Sequence, residues 1–220
     1  MSSHPTSISP ELHEYVLETS IREPDEIRRI RERTETREDS RMQTSPEQGQ
    51  FLALLLQTLG GGNVIEVGTF TGYGAAWMAT ALRSGARVTT CELDPDNAAV
   101  AQEGWVAAGL AERIDVRVGP ALETLTSLID AGESRSFDLA YIDADKISYD
   151  AYYEACLQLV RHGGIVAIDN VLWGGSVADD NVRDESTTAI RALNAKLLGD
   201  ERVDVSLLTV GDGLYLARRR

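Results

Sequence analysis

Four side chains in this 220-residue sequence have types and spacing that could do chemistry together. Asp143 ends the run Ala140-Tyr141-Ile142, Lys146 follows it by three residues, and Asp169-Asn170 ends the run Val166-Ala167-Ile168. Asp143, Asp169 and Asn170 make an all-oxygen donor set, suited to a hard divalent cation: Mg²⁺ first, with Ca²⁺ or Mn²⁺ as alternatives. The plainer alternative is that these acids cap helices and satisfy loop amides. Lys146 is one of only two lysines among 21 basic residues and lies close enough to share the site. It is the candidate general base, or else a simple ion-pair partner of Asp143 or Asp145.

A second constellation comes earlier. Val64-Ile65-Glu66-Val67 leads into Gly68-Thr69-Phe70-Thr71-Gly72-Tyr73-Gly74, whose glycines permit tight turning and close backbone approach to a ligand. The spacing GxxxGxG is neither the dinucleotide GxGxxG nor GxxxxGKS/T, and no lysine follows to hold a terminal phosphate. Glu92 ends the next β-branched run, where an acidic side chain can accept both hydroxyls of a ribose. Asp94 reads as the cap of the helix after it. Gly119-Pro120-Ala121 ends a third run with small residues suited to an adenine ring. Three such signals at successive strand tips point to a nucleoside site. The histidines, His4, His13 and His162, make no ligand cluster, which argues against a zinc hydrolase. No GxSxG elbow supplies a serine nucleophile. Trp173 either walls an aromatic substrate or anchors a loop.

The elements that must position these residues alternate strictly from residue 62 onward. Strands are expected at 64–67, 87–92, 114–118, 137–142 and 164–168, with helices at 72–82, 96–108, 121–130 and 149–160 between them. A helix near 183–198 and two strands, 203–209 and 214–217, follow, the last two joined by Gly211-Asp212-Gly213 as a hairpin. Short β-branched runs separated by amphipathic segments predict an α/β fold: a doubly wound, mostly parallel seven-stranded sheet with helices on both faces and a C-terminal antiparallel hairpin. Ligands in such sheets bind beyond the carboxyl ends of the strands. The segments 9–20 and 24–37 read as two helices, with Pro24 in the first turn of the second. A third helix starts at Ser45 (N-cap) and Pro46 (N1) and stops at Gly60. One domain spans 1–220, with 1–45 as a helical extension and 46–220 as the α/β core.

The net charge is −14, from 21 basic and 35 acidic residues, which argues against a nucleic-acid partner. No apolar stretch approaches the ~20 residues of a membrane span, and no secretory pattern opens the chain. Cys91 and Cys156 read as free thiols in a reducing compartment, so a cytoplasmic location is expected.

Over residues 40–217 the sequence resembles the cation-dependent, S-adenosylmethionine-dependent class I O-methyltransferases, typified by caffeoyl-CoA and catechol O-methyltransferases. The likeness lies in MQTSPEQGQFLALL, VIEVGTFTGYGAAWMA, CELDP, VGPALETL, YIDADK and IDNVLWGGSVAD. It implies a Rossmann-like methyltransferase fold and an S-adenosylmethionine site lined by Thr44, Glu66, Gly68, Thr69, Gly74, Glu92, Ala121, Asp143 and Asp145. Asp143, Asp169 and Asn170 would hold the metal, Lys146 would be the base, a small aromatic hydroxyl compound would be the substrate, and a homodimer is the family's habit. Gly74 replaces a serine of the plant caffeoyl-CoA pattern, which should matter little because a backbone amide can remain. Gly174 replaces an asparagine that touches substrate, and this, with the dissimilar first forty residues, argues against a plant CoA ester as the acceptor. The competing readings are a methyltransferase of hydroxylated uridine in transfer RNA, a nicotinamide-dependent oxidoreductase, and an inactive binding protein that keeps the cofactor pocket.

Overall fold

The computed structural model describes residue 6 and residues 8–220; His4 lies outside the described residues. Seven strands form one sheet: β1 (Asn63–Val67), β2 (Val88–Glu92), β3 (Ile114–Val118), β4 (Phe137–Ile142), β5 (Val160–Ile168), β6 (Val203–Leu208) and β7 (Leu214–Arg219). Their order is β3-β2-β1-β4-β5-β7-β6. Neighbours are parallel from β3 through β5, and β7 pairs antiparallel with both β5 and β6. The seven-stranded doubly wound sheet and its terminal hairpin are therefore as the sequence predicts.

Alternation along each strand explains the two covered faces. In β1, Val64 packs with α2 (Asp25–Glu35), α3 (Pro46–Thr58), α4 (Tyr73–Thr80) and α5 (Pro95–Ala107). Ile65 and Val67 enter the opposite core with α6 (Ala121–Asp130), α7 (Tyr149–Leu159) and α8 (Glu185–Gly199). β4 repeats the pattern: Leu139 and Tyr141 face one side, Ala140 and Ile142 the other. Each fully buried aliphatic side chain contributes roughly 1.5–3 kcal/mol, so a one-residue slip that exchanged the faces would be strongly disfavoured.

The N-terminal helices, α1 (Pro10–Ser20) and α2, lie on the α3–α5 face. α2 is charged along most of its length, but Ile27 and Ile30 are buried in that core. Its Arg31 forms a two-pronged pair with Glu23, which also accepts the Tyr73 hydroxyl at 2.5 Å, tying this segment to α4. Some expected boundaries move. Pro24 is the residue before α2 and not part of its first turn. Ser45 occupies the N-cap of α3, yet its hydroxyl makes no capping bond and is buried without a partner. Short 3-10 turns that local pattern did not reveal occur at Ser40–Met42, Ala111–Arg113, Lys146–Ser148 and Trp173–Ala178. Cys91 and Cys156 are buried free thiols. Among the described residues no helix is long and apolar enough to cross a membrane.

Candidate active site

β1 and β4 are adjacent, and the sheet winds outward from them in opposite directions, which opens a crevice at their carboxyl ends. Every pair of side chains singled out above at a strand tip owes its placement to this register. Val67 pairs with Ile142, and Ile142 pairs with Ile168. The ladder runs one residue further: Asp143 N donates to Val67 O at 2.8 Å, and Asp169 N donates to Ile142 O at 2.9 Å. Asp143 and Asp169 thus stand on neighbouring strands, side by side. Gly68 closes the third side. At φ 100° it accommodates a conformation that L side chains rarely adopt, and a Cβ there would lie 1.9 Å from the Asp143 carbonyl oxygen.

Lys146 joins the group by opening its own 3-10 turn. Its Nζ donates to Asn170 Oδ1 at 2.6 Å, Tyr149 OH at 2.6 Å, Ala144 O at 2.9 Å and Asp143 Oδ1 at 3.2 Å. The ammonium also lies 4.7 Å from the Tyr149 ring centre and 5.5 Å from that of Trp173, so the tryptophan does border the site. Asn170 and Trp173 both have positive φ, 56° and 48°; Asn tolerates this region better than most residues. Of the two ion-pair partners considered for Lys146, only Asp143 is used. Asp145 instead accepts Tyr152 OH at 2.6 Å and Ser148 N at 3.2 Å.

On the other side of the crevice, Glu92 accepts Phe70 N at 2.7 Å and Asp94 N at 2.9 Å, which fixes its carboxylate against the loop after β1. Asp94 caps α5 as expected, accepting from Asp96 N. Glu66, 1% exposed, accepts Thr90 Oγ1 at 2.5 Å, and the Thr69 hydroxyl lies 2.5 Å from that same Thr90 oxygen. A Cβ on Gly74 would sit 2.8 Å from Glu66 Oε1 and 3.6 Å from Thr44 Oγ1, so the missing side chain leaves space bordered by both oxygens. Ala121 begins α6 after the edge strand β3, at the far end of this row. His13 pairs with Glu47, and His162 contacts the carbonyl of Arg220; neither belongs to the group.

The electrostatics of the crevice are one-sided. Burial pushes Asp143 above the usual carboxylate range, and the Lys146 ammonium pulls it part of the way back. Burial, with the neighbouring Asp143 charge, pushes Asp169 up to about 7. Burial also pushes Glu66 up to about 8, with Asp143 and Glu92 adding to the shift and the Thr90 hydrogen bond opposing it. These desolvated carboxyls are short of positive charge. A divalent cation at Asp143, Asp169 and Asn170, and a cationic ligand beside Glu66, would each supply it, so the residues present fit both groups. Among the described residues no three His, Cys, Asp or Glu side chains gather as a cage; the third donor here is an amide oxygen, as hard cations accept.

Two residues at this site escaped the sequence reading. Tyr141 OH donates to Asp169 Oδ2 at 2.8 Å, and Gln48 Nε2 donates to the same oxygen at 2.6 Å and to Tyr141 OH at 2.9 Å. A signal for Gln48 was present: it occupies the apolar stripe of α3 with Leu52 and Leu56, where a buried amide must find partners.

Comparison with known proteins places the chain in a family. A family model described as O-methyltransferase matches residues 17–220. Mouse catechol O-methyltransferase domain-containing protein 1 is 41% identical over 206 residues, covering 94% of this chain and 79% of that one. Caffeoyl-CoA O-methyltransferase of Eucalyptus gunnii is 37% identical, covering 96% and 88%. The crystal structure of an O-methyltransferase from Bacillus cereus, in complex with SAH, superposes with a TM-score of 0.86 at 32% identity, covering 96% of this chain and 97% of that one. The glycine spacing after β1, the sheet order and these similarities set the nicotinamide oxidoreductase reading aside. The chain belongs to the class I S-adenosylmethionine-dependent O-methyltransferase family, in its caffeoyl-CoA- and catechol-methyltransferase-like branch, and is an enzyme of that kind.

Proposed function

We propose that this enzyme transfers the methyl group of S-adenosylmethionine to one hydroxyl of a catechol-like or other vicinal-diol aromatic small molecule. The observation that carries the reading is the position of Lys146: one nitrogen within hydrogen-bond reach of both Asp143 Oδ1 and Asn170 Oδ1, walled by the Tyr149 and Trp173 rings. Asp143, Asp169 and Asn170 would hold a divalent cation, whose Lewis acidity would lower the pKa of a nearby acceptor hydroxyl. In its neutral amine form, Lys146 Nζ would take that proton, held in place by the buried Tyr149 hydroxyl, and the Trp173 ring would flank the aromatic acceptor.

The cofactor side is assigned in the same terms. Glu92 would accept the two ribose hydroxyls, its orientation already set by Phe70 N and Asp94 N. Glu66 and Thr44, facing the space left by Gly74, would receive the cationic methionine end, with Gly68 and Thr69 adjoining. Ala121 would border the adenine, and Asp145 would complete the lining. With the cofactor over β1–β3 and the acceptor over β4–β5, the chain holds both reactants together. Such positioning contributes ~7–11 kcal/mol at best. The −14 net charge supports a small-molecule acceptor over transfer RNA.

A panel assay with labelled S-adenosylmethionine and Mg²⁺ tests the substrate class. Vicinal diols should be methylated at least about 100-fold faster than phenols, which lack the second oxygen, or monomethylated catechols, whose second oxygen is a bulkier ether with no proton to lose. Equal rates for catechol and its monomethyl ether would contradict the reading.

A further inference from the structure

From the buried bonds between α3, β4 and the tip of β5, we infer that Gln48 and Tyr141 are positioning residues: they commit Asp169 to one oxygen for a cation and, through Tyr141, set which way the Thr44 hydroxyl points. The inference rests on the metal and cofactor sites proposed above.

Protons and lone pairs decide which atoms of this network stay free. Tyr141 is 1% exposed, Gln48 2% and Asp169 4%, so water does not complete this network. In the form that ligates a cation, Asp169 only accepts. Tyr141 has one proton, and Asp169 Oδ2 at 2.8 Å takes it. The Gln48 amide has two, one shared with Asp169 Oδ2 at 2.6 Å and one with the Tyr141 oxygen at 2.9 Å. Oδ2 therefore receives two donors and has no lone pair left. Asp169 Oδ1 receives only Asn170 N, at 2.6 Å, and keeps one. Asp169 thus offers a single oxygen, Oδ1, on the side of its neighbour Asn170.

The same count runs outward to the cofactor side. With its proton committed to Asp169, Tyr141 can only accept from Thr44, whose hydroxyl lies 3.3 Å away. Thr44 then presents its lone pairs, and not its proton, to the space beside Gly74 and Glu66. Two acceptors facing that space suit an ammonium group. Gln48 does not touch Thr44, so the two positioning residues differ in reach: Gln48 serves the metal side alone, and Tyr141 serves both.

The test uses the full-length protein with Mn²⁺ followed by electron paramagnetic resonance, and S-adenosylhomocysteine followed by calorimetry in metal-free buffer. Gln48→Met and Tyr141→Phe should each weaken Mn²⁺ binding by about 10–100-fold, the usual cost of losing a partner that orients a ligand. Tyr141→Phe should also weaken S-adenosylhomocysteine several-fold, whereas Gln48→Met should leave it within twofold. Thr44→Val should show the converse: weaker S-adenosylhomocysteine with Mn²⁺ affinity unchanged. A general loss of structure would move both ligands together in every variant, and that pattern would overturn the inference. Mn²⁺ affinity within twofold of wild type in both Gln48→Met and Tyr141→Phe would overturn the positioning role. Equal S-adenosylhomocysteine affinities in those two variants would overturn the link to Thr44. If wild type itself shows no saturable Mn²⁺ site, the metal reading fails, and this inference with it.

Discussion

The ammonium of Lys146 has three protons and four acceptors within 3.2 Å. Such crowding suits the proposed base, which would have to exchange partners when an acceptor hydroxyl arrives. Lys146→Ala should lower kcat by ~10²–10⁴, the range for losing a positioned acid–base group. Lys146→Arg should rescue poorly, because a guanidinium stays protonated and cannot act as a base. The check is a pH–rate profile of the three proteins with one catechol at saturating Mg²⁺; wild-type kcat in Lys146→Arg would reduce Lys146 to an electrostatic role. At this scale the sequence was informative where chemistry coincides with a strand end. Asp143, Asp169 and Asn170 could be placed together because each follows an apolar run whose pairing partner is an adjacent strand. Gln48 and Tyr141 could not: they meet Asp169 across 121 and 28 residues of chain, and no local pattern states which buried polar groups become partners.

Among the elements, the turn after β1 does the most to assemble the crevice, because Gly68 lets the tips of β1 and β4 touch. Gly68→Ala can be judged against Gly85→Ala, where φ is also positive, 82°, but nothing lies within 4 Å of an added Cβ. Both substitutions incur the left-handed backbone cost of about 1–2 kcal/mol. Only Gly68→Ala must also displace the Asp143 backbone, so it should lose more stability in urea and weaken Mn²⁺ binding. Equal losses in the two variants, with Mn²⁺ affinity retained in both, would mean that the close approach is not what places Asp143. The strands and long helices were legible because period-2 and period-3.6 patterns alternate cleanly. The 3-10 turns at Lys146–Ser148 and Trp173–Ala178 were not. Runs this short have no periodicity to read, and theirs are set by caps and long-range anchors. Asp145 caps the first; Arg191 on α8 holds the second, donating to the carbonyls of Ser176 and Val177.

At the scale of the whole molecule, topology sorts the chemistry. The candidate cofactor residues cluster mainly at β1, β2 and β3, and the candidate metal residues at β4 and β5, with the β1/β4 boundary between them. Two surface hollows, lined by residues such as Leu198 and Val205 in one and Gln158 and Arg219 in the other, contain none of the crevice residues named above. This division should make the two ligands thermodynamically distinguishable, although Asp143 is a candidate for both and Thr44, Tyr141 and Asp169 form a bridge between them. The most direct measurement is methyl transfer to a catechol before chelation, after chelation and after Mg²⁺ add-back, with S-adenosylhomocysteine affinity measured on the same chelated protein. Turnover should vanish on chelation and return with Mg²⁺, while the S-adenosylhomocysteine dissociation constant stays within a few-fold of its starting value. Undiminished methylation in chelated protein would contradict the account.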